Sequence, residues 1–292
     1  MTHSGSRRDR VRWLAICLSA CALGFATTGE AQEMRFDDAV ALLQTDDPDS
    51  IQLALETLGA RSEARAVAPI AARIRGGLPA ELADMAVMTL GAIGRAEAGP
   101  VLFELLSHRR ADLRRITVEA IAAIEPRGAG EALVRTLSDP EPSVRAAAAL
   151  AIGQIGYRAG IDSLFASLDH DNLEAAQGIG QLATPAHVDR LFGYVGRLPL
   201  DALIPALNEL LARDDFPAPA KIELIGRLAE LATPEVKTYL TDLADSLPSV
   251  VFVYPVHLNP NVREPVERIL GDHPRILLLE PLPYAEFVWL MD

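Results

Sequence analysis

The chain has 292 residues and a formal net charge of −13, with 40 acidic residues against 27 lysines and arginines. This acidic balance argues against nucleic acid and anionic membrane surfaces as partners, because both repel a negatively charged protein. Both cysteines, Cys17 and Cys21, lie near the N-terminus, so neither a disulfide framework nor a cysteine-based metal site is expected in the rest of the chain.

The N-terminal segment has the pattern of a secretory signal peptide. Four arginines between Arg7 and Arg12 precede an apolar stretch from Trp13 to Ala26, and small residues then lead to Ala31. The apolar stretch, at about 14 residues, is too short to span a membrane as a helix. We therefore expect cleavage after Ala31 and export to the periplasm or the extracellular space.

A second processing route is also open. Leu18-Ser19-Ala20-Cys21 resembles a bacterial lipobox, in which the cysteine becomes the lipidated first residue. In that alternative Cys21 carries a lipid anchor. In the favoured route, removing residues 1–31 takes away four arginines and two acidic residues, which changes the net charge from −13 to −15.

Residues 32–247 are predicted to form an all-α domain. Ala, Leu, Ile and Val recur there at intervals of three and four residues. The segment also repeats itself, since Leu90, Ile121 and Ile152 lie 31 residues apart and Leu58 lies 32 residues before Leu90. A repeat of this length is typical of paired helices stacked into a solenoid.

The clearest repeat shows a turn followed by a helix. Asp139-Pro140-Glu141-Pro142 is the turn, and the helix runs from Ser143 to Ile155 after a shorter helix from Gly130 to Leu137. Residues 139–156, DPEPSVRAAAALAIGQIG, resemble a HEAT repeat of the type found in phycobilisome lyases. The resemblance implies an α-α superhelical solenoid of five to six units, with a protein partner on its curved surface and, as a further hypothesis, a chromophore-lyase activity.

Two sets of repeat residues have distinct predicted roles. Three arginines, Arg114, Arg115 and Arg145, are candidates for partner binding, with solvation or pairing to a turn carboxylate such as Asp139 as the alternative. Small residues are predicted to allow close approach of neighbouring helices: Ala92, Gly94, Ala123, Gly153 and Gly156.

The C-terminal segment, residues 248–292, has a different pattern. A β-branched run from Val250 to Val256 and a second apolar run from Ile276 to Leu279 flank a helical period, which predicts a βαβα fragment with parallel strands. A fragment with so few strands should either pack on the last repeat or leave apolar side chains exposed.

This segment resembles the non-hydrolysing UDP-N-acetylglucosamine 2-epimerases. The resemblance rests on Tyr254-Pro-Val-His-Leu-Asn-Pro-Asn-Val-Arg-Glu-Pro-Val266 and on Phe287-Val-Trp-Leu-Met291. It implies that Phe287 matches an aromatic residue that holds the uracil. The Gly-Thr-Arg-Pro-Glu loop and the acidic residues of that family's first domain do not occur in this sequence, so we expect a truncated Rossmann fragment without activity.

The sequence contains few other candidate functional residues. Asp169-His170-Asp171 is the densest ligand-like cluster, and it falls in a turn between predicted helices, so no metal site is expected. No catalytic residues and no cofactor are predicted. The sequence thus favours an exported, non-catalytic HEAT-repeat scaffold for protein–protein interaction. The alternative is an incomplete UDP-N-acetylglucosamine 2-epimerase (isomerase) fragment fused to the repeats.

The processing route can be tested by measuring the intact mass of the protein from its native cells. We expect a mass that corresponds to Gln32–Asp292. A mass of Cys21–Asp292 plus lipid would establish the anchored alternative. A mass that includes the residues before Cys21 would contradict both routes.

Overall fold

The structure, a computed structural model, describes residues 34–231, 233–246, 251–256, 263–264, 266–268, 271 and 273–280. Three predicted features lie outside these residues: the cleavage site after Ala31, the lipidation candidate Cys21 and the uracil-contact candidate Phe287. Within the described residues, no helix has both the length and the apolar character needed to cross a membrane. The chain divides into two compact units, residues 1–127 and 128–292.

The described part of the first unit consists of helix pairs. Its helices are α1 Phe36–Leu43, α2 Pro48–Arg61, α3 Val67–Gly76, α4 Ala80–Ile93, α5 Gly99–Leu105 and α6 Ala111–Ile124. The second helix of each pair packs on the second helix of the next, so α2 contacts α4 and α4 contacts α6. The repeat-related Leu58, Leu90 and Ile121 are fully buried in this stack. The 31-residue spacing therefore marks core positions.

The second unit continues the same pattern and adds two strands. Its elements are α7 Ala129–Thr136, α8 Pro142–Gln154, α9 Ile161–Leu168, α10 Ala175–Leu182, α11 Val188–Phe192, α12 Leu200–Ala212, α13 Ala218–Glu230, α14 Pro234–Ser246, β1 Phe252–Pro255 and β2 Ile276–Leu279. Here α8, α10 and α12 pack in succession, and α14 contacts both α12 and α13. The predicted fold class, an all-α HEAT-like solenoid with a short C-terminal α/β fragment, is confirmed.

The local sequence explains where helices begin and end. Asp47 caps α2 by accepting a hydrogen bond from the Ser50 N–H at 2.9 Å. Pro142 is the first residue of α8, where its missing N–H removes no helical bond. Gly94 and Gly156 follow α4 and α8 with φ of 68° and 69°, a left-handed conformation that favours glycine.

The described residues contain fourteen α-helices, and the later ones include short helices such as α11 that blur the repeat. One expectation about the small residues needs correction. Gly94 and Gly156 do not serve close approach, since a Cβ at Gly156 would meet nothing within 4 Å. Gly153 does, since its Cβ would lie 2.7 Å from the Gly178 Cα.

The strands pair in parallel, as the sequence predicts. Phe252 aligns with Ile276 and Pro255 with Leu279. The fragment contacts α14 through an ion pair, since the Arg275 guanidinium lies 2.7 Å from the Asp245 carboxylate, and Ile276 is buried. Val251 stays 53% exposed. Exposed apolar side chains, one of the two expected outcomes, therefore occur.

Helix packing in the second unit makes a prediction at Gly180. A Cβ there would lie 2.5 Å from the Ala206 carbonyl oxygen and 2.7 Å from its Cα, so Gly180→Ala must push α10 away from α12. We expect the free energy of unfolding to fall by about 1–3 kcal/mol and the midpoint of thermal unfolding to fall by several degrees. Circular dichroism during heating measures this.

The matched control is Gly76→Ala at the end of α3, where the nearest atom to an added Cβ is 4.0 Å away. This variant should melt at or slightly above the unmodified protein, because alanine favours helix over glycine. Equal melting of the two variants would show that the α10–α12 contact tolerates a methyl group.

Candidate protein-binding groove

A groove lies along α12 and α14 in the second unit. Its volume is about 710 Å³. One face of each helix lines it: Asp201, Ile204, Asn208, Leu211 and Ala212 from α12, and Glu235, Thr238, Tyr239, Asp242, Leu243 and Ser246 from α14. These residues recur at helical spacing because each set lies on one face of its helix. Both faces are accessible because α14 packs less closely on α12 than α10 does.

The groove has an apolar floor and one buried phenol. Tyr239 is 6% exposed, and its hydroxyl donates to Asn208 Oδ1 at 2.9 Å across the two helices. Burial raises the pKa of Tyr239 far above its ordinary value, because a phenolate in this position would lose its hydration. Tyr239 therefore acts as a neutral hydrogen-bond donor that ties α14 to α12.

The rim of the groove is acidic. Asp201, Glu235 and Asp242 line it, and among the residues that the structure describes no lysine or arginine does. Hydrogen bonds from its own backbone N–H and from the Thr233 hydroxyl lower the pKa of Glu235, which keeps this carboxylate charged at neutral pH. The rim therefore carries negative charge.

A second hollow adjoins the first at the N-terminal ends of α12 and α14. Its volume is about 520 Å³, and Asp201 and Glu235 line both hollows. Apolar side chains, among them Leu198, Leu203 and Val236, line the rest of it together with Thr233. The two carboxylates thus stand at the junction of two largely apolar hollows.

The arginines that are candidates for partner binding all make contacts within the chain, as their stated alternative predicts. Arg114 is buried and donates to the His108 carbonyl oxygen at 2.8 Å. Arg145 donates to the Asp139 carbonyl oxygen at 3.0 Å and to the Pro140 carbonyl oxygen at 3.1 Å. Arg115 pairs with Glu119 one turn along α6.

The Asp169-His170-Asp171 cluster lies in the turn between α9 and α10, as predicted. Asp169 accepts a hydrogen bond from the Tyr194 hydroxyl at 2.9 Å, and His170 Nδ1 lies 2.7 Å from the Ala166 carbonyl oxygen. Asp171 has a positive φ of 62°. No group of three or more metal-ligating side chains that could hold an ion occurs among the residues described here.

Sequence reasoning missed the groove. Its two walls, α12 and α14, begin 34 residues apart in the chain, and neither wall contains a motif that marks it. One signal was present: α12, LDALIPALNELLA, contains no basic residue, and α14, PEVKTYLTDLADS, contains only Lys237.

Two family models match separate parts of the chain. Residues 99–183 match the model described as HEAT repeats, and residues 228–292 match the model described as UDP-N-acetylglucosamine 2-epimerase. The chain thus combines HEAT-type repeats with an epimerase-like segment. The second match begins within α13, so the helix α14 belongs to both the repeat stack and the epimerase-like segment.

Curated relatives match through the same C-terminal segment. The chain is 52% identical over 58 residues to UDP-N-acetylglucosamine 2-epimerase of Escherichia coli (strain K12), which covers 20% of this chain and 15% of that protein. It is 60% identical over 53 residues to the probable UDP-N-acetylglucosamine 2-epimerase of Ralstonia solanacearum, covering 18% of this chain and 14% of that protein. The chain therefore spans only about one-seventh of the length of these relatives.

Solved structures are similar over the helical part of the chain. The complex of CpcE and CpcF of phycocyanin lyase from Nostoc sp. PCC7120 is 21% identical and covers 77% of this chain and 98% of that one, with a TM-score of 0.47. Human deoxyhypusine hydroxylase in complex with glycerol is also 21% identical and covers 81% and 94%, with a TM-score of 0.39.

The buried phenol predicts a pH dependence of stability. Burial raises the folded-state pKa of Tyr239 above the unfolded value near 10. The stabilisation that the neutral Tyr239 side chain gives to the folded state is therefore fully present below about pH 10 and is lost as pH rises above it. Tyr239→Phe should show a smaller loss of unfolding free energy between pH 8 and pH 10.5 than the unmodified protein. Urea unfolding at the two pH values measures it, and identical losses would contradict the assignment.

Proposed function

We propose that this protein is an exported, non-catalytic HEAT-repeat scaffold that binds a protein partner in the groove between α12 and α14. The groove is the observation that carries the proposal. It offers a largely apolar floor and an acidic rim on two helices held by a packed core, and extended surfaces of stacked helix pairs are the usual binding surfaces of repeat proteins.

Accessible apolar side chains support a binding role for this end of the second unit. Ile204, Leu211 and Leu243 line the groove although other residues of the same helices, such as Leu210 and Leu240, are buried. Apolar residues that line an acidic-rimmed depression are typical of protein-recognition sites. The geometry therefore favours a partner that contributes apolar side chains.

The export and the non-catalytic role rest on other grounds. Export is supported by the signal-peptide pattern of residues 1–31, and a partner outside the cytoplasm follows from it. A non-catalytic role is supported by the groove itself, where the buried Tyr239 phenol donates to the Asn208 carboxamide and ties α14 to α12. A lipid anchor at Cys21 would change the site of retention and leave the groove unaffected.

The alternative function, an incomplete UDP-N-acetylglucosamine 2-epimerase fragment fused to the repeats, has one observation in its favour. The segment at the C-terminus is 52% identical to the Escherichia coli (strain K12) enzyme over 58 residues. In this structure the start of the matching segment, from residue 228 through α14, belongs to the repeat stack. This placement favours a structural use of the segment as the end of the scaffold.

Site-specific photo-crosslinking in the native cells tests the binding role. We expect a benzoylphenylalanine at Leu243, which lines the groove, to capture a protein that the same residue at Ile222 does not. Ile222 is the control, because it is 51% exposed on α13 and lies outside the groove lining. Mass spectrometry identifies the captured protein.

The captured protein must then be purified and tested against the intact chain. Leu243→Arg should weaken its binding at least tenfold, because the charge enters the apolar floor. Ile222→Arg should leave the affinity unchanged. Equal capture at both positions, or equal affinity of the two arginine variants, would refute the groove as the binding site.

A further inference from the structure

The groove carboxylates differ from most interhelical carboxylates of the second unit. Asp162 pairs with Arg190 at 2.7 Å, and Asp189 pairs with Arg227 at 2.6 Å, so the repeats normally neutralise acidic groups between neighbouring helices. By contrast, Asp201, Glu235 and Asp242 have no cation within ion-pair distance among the residues that the structure describes. The groove therefore gathers three carboxylates that no described cation neutralises.

The position of Asp242 adds to this contrast. Asp242 and Asp245 lie toward the C-terminal end of α14, where the helix dipole disfavours anions, and the last turn of α14 contains no basic residue. Asp245 is compensated by Arg275, whose guanidinium approaches it to 2.7 Å from outside the helical stack. This contact shows that a cation from another segment can bind along α14.

The spacing of the rim charges defines a pattern. Glu235 and Asp242 lie seven residues apart on one face of α14, which places them about 10 Å apart along the helix axis. Each lining run spans eleven residue steps, from Asp201 to Ala212 and from Glu235 to Ser246. The groove is therefore about 16 Å long, the length of three helical turns.

The walls of the groove also define the shape of the partner. Both walls are α-helices, whose interior backbone groups are already hydrogen-bonded, so an extended strand would find no row of free donors and acceptors. A helix can instead place apolar side chains between two parallel ridges. The apolar floor residues Ile204, Leu211 and Leu243 suit such an apolar face.

We propose that the groove binds a cationic amphipathic helix of the partner protein, with leucine-like side chains on the floor and Lys or Arg at positions i and i+7 facing Glu235 and Asp242. Asp201, on the opposite wall, takes a third cation. This inference rests on the proposed function and specifies the chemistry of the partner. Opposite charges across the rim increase the rate of association and select against acidic helices.

A peptide-binding measurement tests this chemistry. The probe is a fluorescein-labelled amphipathic peptide of Leu, Ala and Arg, about 15 residues long with arginines at i and i+7. Two comparison peptides replace every arginine by glutamate or every leucine by serine. We expect fluorescence anisotropy at low salt to show binding of the intact chain to the first peptide alone, weakened by added salt.

Matched variants separate the groove from the overall negative charge. Glu235→Gln with Asp242→Asn should weaken binding about tenfold, since two rim ion pairs contribute about 0.7 kcal/mol each. Asp214→Asn with Glu230→Gln removes the same charge from exposed positions outside the groove lining and should leave affinity unchanged. Glu235→Lys with Asp242→Lys should reverse the preference toward the glutamate peptide. Circular dichroism verifies that each variant is folded.

Several results would overturn the inference. The inference fails if the arginine peptide does not bind, or if the arginine and glutamate peptides bind equally. It also fails if the groove pair and the control pair of neutralising substitutions weaken binding equally. Its failure is distinguishable from failure of the proposed function. If the photo-crosslinked partner contacts Leu243 through an acidic or uncharged segment, the scaffold role stands and the cationic helix is refuted. If no partner contacts Leu243, both are refuted.

Discussion

Every helix pair of this chain depends on burying its apolar face against the next pair, because no single pair encloses a core of its own. In the first unit the repeat-related Leu58, Leu90 and Ile121 are fully buried where α2, α4 and α6 pack in succession. In the second unit Ile152 and Ile179 play the same part on α8 and α10. Close approach at Gly153, Gly178 and Gly180 is what lets these long helices meet.

Arginine side chains stabilise several of the turns between helices. Arg73, Arg110, Arg145 and Arg213 each donate to main-chain carbonyl oxygens at helix ends or turns, for example from Arg213 to Ala183 at 2.7 Å. The carbonyl groups of Leu43, Asp139 and Ala183 lie at a helix C-terminal end or in a turn, where they have no helical partner, and these contacts satisfy them. These contacts also keep the arginine side chains engaged within the helix stack. In a chain with 40 acidic and 27 basic residues, this leaves a surplus of carboxylates for exposed surfaces such as the groove.

The helix α14 joins the repeats to the epimerase-like segment. Val236, Leu240 and Ala244 are its buried side, Glu235, Tyr239 and Asp242 line the groove, and Asp245 binds Arg275 of the C-terminal fragment. This helix packs less closely on α12 than α10 does. The groove is thus a consequence of how the repeat stack ends, and the same loosening exposes the apolar and acidic side chains on which the proposed function depends.

The sequence by itself determined the local structure: the helix pairs, the Pro142 entrance to α8, the two parallel strands and the two family resemblances. Periodicity, turn residues and strand propensity act over a few residues, so they can be read without a structure. The export signal rests on sequence alone. Only the tertiary structure decided that Arg114 and Arg145 contact carbonyl groups, that Gly178 and Gly180 make the close contacts, and that Asp201, Glu235 and Asp242 share one groove. The arginine contacts are six residues apart in the chain but depend on how each turn folds back. The glycine and groove relations join residues about 26 to 41 positions apart, and stacking geometry sets them without leaving a local signal in the chain.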